Sequence, residues 1–281
     1  MNINWYPGHM KKTKESIKKN LSLVDIVYEV IDARIPYSSR NPDIDGILGN
    51  KPRLIIMNKS DLADIESNKI WQSYFEQKGI PVVNINSLKS KGLDQVINIS
   101  YVLTEEKRKA LANRGVKNKP IRAMIIGIPN VGKSTLINSL SKRKGTKVGN
   151  KPGVTKANQW IKIKGDLELL DTPGILWPKF EDKEVGLNLA YTGAIKDELL
   201  DIETLSLELV KKLNSISTKF IENRYNISIE SKSPYDIIVE IGSKRGCVIK
   251  GGKIDFNKAC NIILDEYRKG TIGRITLELP S

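Results

Sequence analysis

The segment Gly127-Ile-Pro-Asn-Val-Gly-Lys-Ser134 sets two glycines, a lysine and a hydroxyl residue at the spacing of a phosphate-cradling loop. It follows the apolar run IRAMII and precedes a stretch with helical periodicity, which is the context the chemistry requires. Glycines let backbone N–H groups turn inward without a Cβ in the way. The residues facing the phosphates are then Asn130, Val131, Gly132, Lys133, Ser134 and Thr135. Lys133 reaches the β/γ oxygens as a point charge, and the Ser134 hydroxyl fills one Mg²⁺ position. The helix that starts near Lys133 adds its positive end. Asp171-Thr-Pro-Gly174 closes the apolar strand LELLD, 37 residues beyond Ser134. There Asp171 is expected to hold Mg²⁺ through water, and the Gly174 N–H to meet the γ-phosphate. Between them, Lys151-Pro-Gly-Val-Thr155 offers a Thr155 hydroxyl to close on Mg²⁺ and the γ-phosphate; a type II turn at Pro-Gly is the alternative reading.

A base reader lies upstream. Asn58-Lys-Ser-Asp61 directly follows the strand RLIIM. The Asp61 carboxylate can accept from both the N1–H and the N2 amino group of guanine, a donor pair that adenine lacks. Asn58 can bond neighbouring backbone and the base edge, and the stem of Lys59 can lie across the purine face, with Ser60 completing the turn. The next strand ends at Asn84-Ile-Asn-Ser87, whose amides at Asn86 and Ser87 are candidates for the guanine O6. GTP and GDP with Mg²⁺ are therefore the expected ligands. An ATP-using kinase is disfavoured by NKSD.

These residues need a sheet to position them. Strands are expected at 24–32, 53–57, 80–85, 121–126, 159–163 and 167–171, with helices at 66–78 and 92–111. Residues 10–22 place Met10, Ile17 and Leu21 on one helical stripe among five lysines. Such strand–helix alternation reads as parallel α/β. Beyond Phe180 the strand signal fades until the last residues, and LSLELVKKLNSISTKFIENRY and FNKACNIILDEYRKG have 3.6-residue periodicity. The expected fold is an α/β P-loop GTPase domain, a mostly parallel sheet with helices on both faces, over 1–178. A small all-α domain follows over 179–281. The base reader precedes the phosphate loop, the reverse of the usual order. Moving the chain ends within one unchanged sheet produces this, with the join near 104–120.

Length and charge narrow the class. The 281 residues are enough for two domains, and 40% hydrophobic with 28% charged residues is ordinary for a soluble chain. Apolar runs such as Leu54–Met57 are too short to cross a bilayer, and the N-terminus lacks the order of a secretory signal. Cys247 and Cys260 have neither metal nor redox spacing and read as reduced core thiols in a cytoplasmic protein. The net charge of +14 favours a polyanionic partner and no membrane. Residues 142–164 hold eight Lys or Arg and no acid, and 244–274 hold eight against three. Together with the 10–19 helix, these are candidate RNA contacts, although Lys142, Arg143 and Lys144 also suit the end of the phosphate-loop helix.

The order of motifs, together with WYPGHM, DAR–P–SSRN, NKSD, GIPNVGKST, PGVT, DTPG, TGAIKDE and RKGTIGRITLE, resembles the circularly permuted GTPases of ribosome assembly. Within them it resembles the bacterial ribosome biogenesis GTPase A (YlqF) type, over essentially the whole chain. The resemblance implies a GTP-dependent factor in late assembly of the large ribosomal subunit whose helical C-terminal domain contacts ribosomal RNA. It would bind in the GTP state and be released after hydrolysis, and a monomer in solution is expected. Action on tRNA or the small subunit, and an RNA-binding scaffold with little turnover, are the competing readings. Many GTPases orient the attacking water with a glutamine after the DxxG glycine, where this chain has Ile175. Hydrolysis alone is therefore expected to be slow. The resemblance passes the role to His9, the sole histidine; packing beside Trp5 and Tyr6 is its other reading. It also makes Asn130 a candidate K⁺ ligand, alongside a plain turn role.

Overall fold

The computed structural model describes residues 15, 17–116, 119–142, 160–163, 166–170 and 182–280. They divide into two compact units, one holding the residues from 15 to 170 together with 278–280, the other 182–277.

The first unit is built on a six-stranded sheet in the order β3-β2-β1-β4-β6-β5. The strands are β1 (Ile26–Asp32), β2 (Arg53–Asn58), β3 (Val82–Asn84), β4 (Ile121–Ile126), β5 (Trp160–Lys162) and β6 (Leu167–Leu170). All pairings are parallel except β5 with β6. β1 is central and buried along its whole length, which explains its nearly unbroken apolar sequence. On one face, Ile31, Ile55 and Met57 pack on Trp71 and Phe75 of α2 (Ile65–Gln77), while Val27 and Met124 meet Ile44 and Leu48 of α1 (Ile44–Leu48). Ile17 is buried in the same cluster and Leu21 packs against it, so the described end of the expected 10–22 helix sits as its stripe predicts. On the other face the Tyr28 hydroxyl meets Ser100 Oγ at 2.6 Å, fixing α3 (Leu93–Leu103).

Periodicity over 92–111 predicts one helix, but there are two, α3 and α4 (Glu105–Asn113). The break falls at Thr104, whose hydroxyl donates to the Ser100 carbonyl at 2.7 Å. α4 has no buried residue, so no apolar face ties its direction to that of α3. The phosphate-loop helix is α5 (Lys133–Lys142).

The second unit is helical. It contains α6 (Lys183–Tyr191), α7 (Ile202–Ile216), α8 (Lys219–Tyr225), α9 (Pro234–Lys244) and α10 (Phe256–Lys269). Leu205, Leu209 and Leu213 of α7 form its core with Ile237 and Ile241 of α9 and Ile263 and Leu264 of α10. Cys247 and Cys260 are buried, unbridged thiols. Arg268 ties the unit together: it donates to the Tyr191 and Ala190 carbonyls at 3.0 and 2.9 Å and grips both oxygens of Asp197 at 2.7 Å. The tail 271–280 forms no strand, although Ile272, Ile275 and Leu277 are buried.

Candidate functional site

Parallel strands carry their C-terminal ends to one edge, and the order here reverses direction between β1 and β4: the chain goes outward to β2 and β3 on one side and to β6 and β5 on the other. Ligands bind at such a switch point. The register makes it specific. Asp32 pairs with Asn58, and Met57 with Asn84, so β1 and β2 end level and β3 ends one residue short of them. β4 ends three residues earlier, with Ile126 opposite Glu29. The phosphate loop therefore starts alongside a strand that continues past it. A Cβ on Gly127 would lie 2.4 Å from the Val30 carbonyl oxygen, which is why glycine is required there.

Asn58 is the clasp. Its Nδ2 donates to the Val131 carbonyl at 2.8 Å, and its Oδ1 accepts from the Ser87 amide at 3.1 Å and from the Ser87 hydroxyl. One buried amide thus joins the base loop, the phosphate loop and the loop after β3. A Cβ on Gly132 would sit 2.3 Å from that same Nδ2, and its φ of +100° suits glycine. Lys59, itself left-handed at φ 58°, donates to the Asn130 carbonyl at 2.7 Å, a second tie between the NKSD loop and the glycine-rich loop. Ser60 anchors the turn through both its amide and its hydroxyl on the Ile85 carbonyl. Asp61 is exposed, and no hydrogen bond joins its carboxylate to another described residue. Lys133 is buried with its ammonium donating to the Gly127 and Ile128 carbonyls at 3.0 and 2.8 Å, inside the curl of the loop. Ser134 and Thr135 stand in the first turn of α5, Ser134 exposed and Thr135 half-buried; Asn130 is exposed at φ 58°.

The Asn86 amide donates to the Lys91 carbonyl at 3.1 Å and the Ser87 amide to Asn58, so both are engaged within the protein. Asn86 Oδ1 likewise accepts from the Lys89 amide at 2.9 Å, closing the turn. The next amide, that of Leu88, makes no hydrogen bond within the described residues. Its side chain is 86% exposed beside the base loop. His9, Thr155, Asp171, Gly174 and Ile175 lie outside the described residues.

Asp32 is the residue that motif reading passed over. It ends β1 with its carboxylate buried. It accepts from the Arg34 amide at 3.1 Å, from Arg34 Nε and Nη2 at 2.9 and 2.8 Å, and from Lys59 Nζ at 2.9 Å. Burial works against its ionisation, but Arg34 and Lys59 outweigh it and hold the carboxyl well below the usual carboxylate range. Its local signal in the sequence is the DAR tripeptide at a strand end.

A family model described as "50S ribosome-binding GTPase" matches residues 122–239. The chain is 47% identical over 280 residues to ribosome biogenesis GTPase A of Bacillus licheniformis, covering 100% of this chain and 99% of that one. Its identity to ribosome biogenesis GTPase A of Thermotoga maritima is 31% over 281 residues, covering 99% and 95%. The solved structure of GNP-bound YlqF from T. maritima superposes with a TM-score of 0.65 at 26% identity, over 96% of this chain and 99% of that one. Full-length identity at this level, on a fold in which one asparagine joins the NKSD loop to the glycine-rich loop, settles the assignment: the chain belongs to the ribosome biogenesis GTPase A family and is a GTPase.

Proposed function

We propose that this GTPase acts in late maturation of the large ribosomal subunit, binding ribosomal RNA in its GTP state and leaving after hydrolysis. The observation that carries the nucleotide half is the Asn58 clasp, which holds a guanine-reading loop against a phosphate loop. The ribosomal half is supported by the relatives' names and by the +14 charge, which suits RNA.

In this reading Asp61 accepts from the guanine N1–H and N2 amino group, and the Leu88 amide donates to O6. Lys59 lies across the purine, and the loop amides with Lys133 surround the β- and γ-phosphates. Ser134 suits Mg²⁺: a hard hydroxyl oxygen, exposed and without a hydrogen bond to another described residue. Asp171 and Thr155 would complete the protein's share of that site. When bound, the ion neutralises charge on the β/γ oxygens. Gly174 meets the γ-phosphate, and His9 orients the attacking water in place of the missing glutamine, once the RNA partner has brought the N-terminus into place. Asn130 is the K⁺ candidate, and equal turnover in K⁺ and Na⁺ would remove it. A ribosomal partner implies work in the cytoplasm. No helix of the described residues is long and apolar enough to cross a membrane.

GTP turnover measured alone and with purified large subunits, small subunits or tRNA tests the proposal. Stimulation by large subunits alone is expected, with loss of that stimulation in His9→Ala. Stimulation by small subunits or tRNA instead, or slow turnover persisting on the large subunit, would overturn it.

A further inference from the structure

The basic stretch after α9 folds into a small hairpin. The Ile249 amide donates to the Lys253 carbonyl at 2.9 Å, the Asp255 amide to the Cys247 carbonyl at 2.7 Å, and Val248 bridges Ile254. Gly251 and Gly252 turn the tip with φ of +91° and +76°. The base is fixed. Cys247 is buried, and Ile254 presses on α9 so closely that a Cβ on Gly242 would meet its Cγ2 at 2.7 Å and Ala259 Cβ at 3.1 Å. The tip is open: Val248 and Ile249 are 54% and 49% exposed, and Lys250 and Lys253 are exposed.

Three acids lie in 244–274, and all have partners. Asp255 accepts from the Lys258 amide at 3.0 Å, Asp265 pairs with Lys269 at 2.6 Å, and Glu266 holds Arg224 and Arg245 at 2.7 and 2.6 Å. Lys244, Lys250, Lys253 and Lys258 form no ion pair with any described residue. The cations left over are therefore those on the hairpin and the helix ends that flank it. Phe256, the residue after the hairpin, stacks on Tyr235 with ring centroids 4.8 Å apart and 25° between planes, and Tyr235 is 55% exposed. An aromatic pair left at the surface forfeits part of the burial that would otherwise stabilise it, and offers a flat face to another ring.

We propose that this hairpin and the Tyr235–Phe256 pair form a docking surface for RNA with unpaired nucleotides: the lysines take phosphates and the exposed ring takes a base. A duplex supplies phosphates but keeps its base faces stacked, so only unpaired nucleotides use both halves of the surface. The inference rests on the ribosomal RNA reading above and names the kind of RNA segment involved.

The test uses the full chain. Its binding to a fluorescent single-stranded RNA of about 12 nucleotides, to the matching duplex and to purified large subunits is measured over a salt series. Lys250→Ala/Lys253→Ala is expected to bind the single strand and the subunit more weakly, with the log–log salt slope shallower by about 1.4. Tyr235→Leu is expected to lose about 5-fold or more on the single strand and nothing on the duplex. GDP affinity stays at the wild-type value in both variants, and melting stays there in Lys250→Ala/Lys253→Ala, whose side chains are exposed; Tyr235→Leu also gives up its stacking on Phe256, so its binding is read well below its own melting temperature. Large-subunit binding that is unchanged in both variants overturns the inference and leaves the ribosomal reading standing. A wild type that binds the single strand but not the subunit overturns the ribosomal reading and leaves this surface standing. Equal losses on duplex and single strand overturn the stacking half.

Discussion

Asp32→Asn removes one charge from a three-ion cluster that is buried at Asp32 and Arg34 and partly exposed at Lys59. The Asp32 carboxylate holds Arg34, of which 1% is exposed, and Lys59, whose second partner is the Asn130 carbonyl. Removing one partner of a buried ion pair strands the other, at a cost of about 3–5 kcal/mol. Asparagine keeps the size and one oxygen, so the lower end, about 3 kcal/mol, is expected. For a unit of this size that lowers its melting temperature by roughly 6–12 °C. Lys59 also loses one of its two anchors, and GDP affinity is expected to fall by about tenfold, the equivalent of 1.4 kcal/mol. The pH dependence gives a second readout. A carboxyl with a depressed folded pKa contributes stability above its unfolded pKa of about 3.9 and loses that contribution as pH falls toward the folded value. The gap between wild type and Asp32→Asn should be flat from about pH 5 to 8 and shrink below about pH 4. Fluorescence-detected melting and a labelled-GDP titration across pH supply both numbers. Melting curves that coincide within about 1 °C at pH 7 would refute the claim that this carboxylate organises the pocket.

Two further substitutions test the joints. Asn58→Ala leaves the Val131 carbonyl and the Ser87 amide without their partner, each costing about 1–3 kcal/mol, and separates the base loop from the phosphate loop. GDP affinity should fall at least about 30-fold, and titration calorimetry that finds it unchanged would show that the clasp is dispensable. Glu278→Ala removes the carboxylate that accepts from the Ser38 amide at 2.7 Å and its hydroxyl at 2.5 Å in the loop after Asp32. A loss of about 2–4 kcal/mol, roughly 4–16 °C in melting temperature, is expected for the sheet unit. Truncation after Leu277 should cost more, since Trp71 Nε1 also loses its acceptor, the Glu278 carbonyl at 2.9 Å; equal melting of the full and shortened chains would refute it.

Much of the sheet unit was legible because its signals are local. β1, β2 and β4 are short apolar runs bounded by polar turns, and the loops that follow them carry their chemistry in contiguous residues. What joins those loops was not legible. Asp32 faces Lys59 because parallel register sets Asp32 opposite Asn58, and no local pattern encodes register between strands separated by a loop and a helix. Ser38 and Glu278 are 240 residues apart in sequence. Ile272, Ile275 and Leu277 are buried at mixed spacing and pair with no strand, since burying side chains does not require a ladder. That the Asn86 and Ser87 amides bond within the protein was not legible either, because a turn's internal hydrogen bonds do not show until its geometry is known.

In the proposed mechanism Asp61, held on the Asn58–Lys59 scaffold, selects guanine. Calorimetric titration of the full chain with GDP and with ADP measures it directly. GDP should bind at least about a thousandfold more tightly, because adenine leaves the carboxylate without its paired donors. In Asp61→Asn, GDP should weaken and xanthosine diphosphate, with an oxygen where guanine has its amino group, should bind in its place. Comparable affinity for GDP and ADP in the wild type, or a preference unmoved in Asp61→Asn, would contradict it.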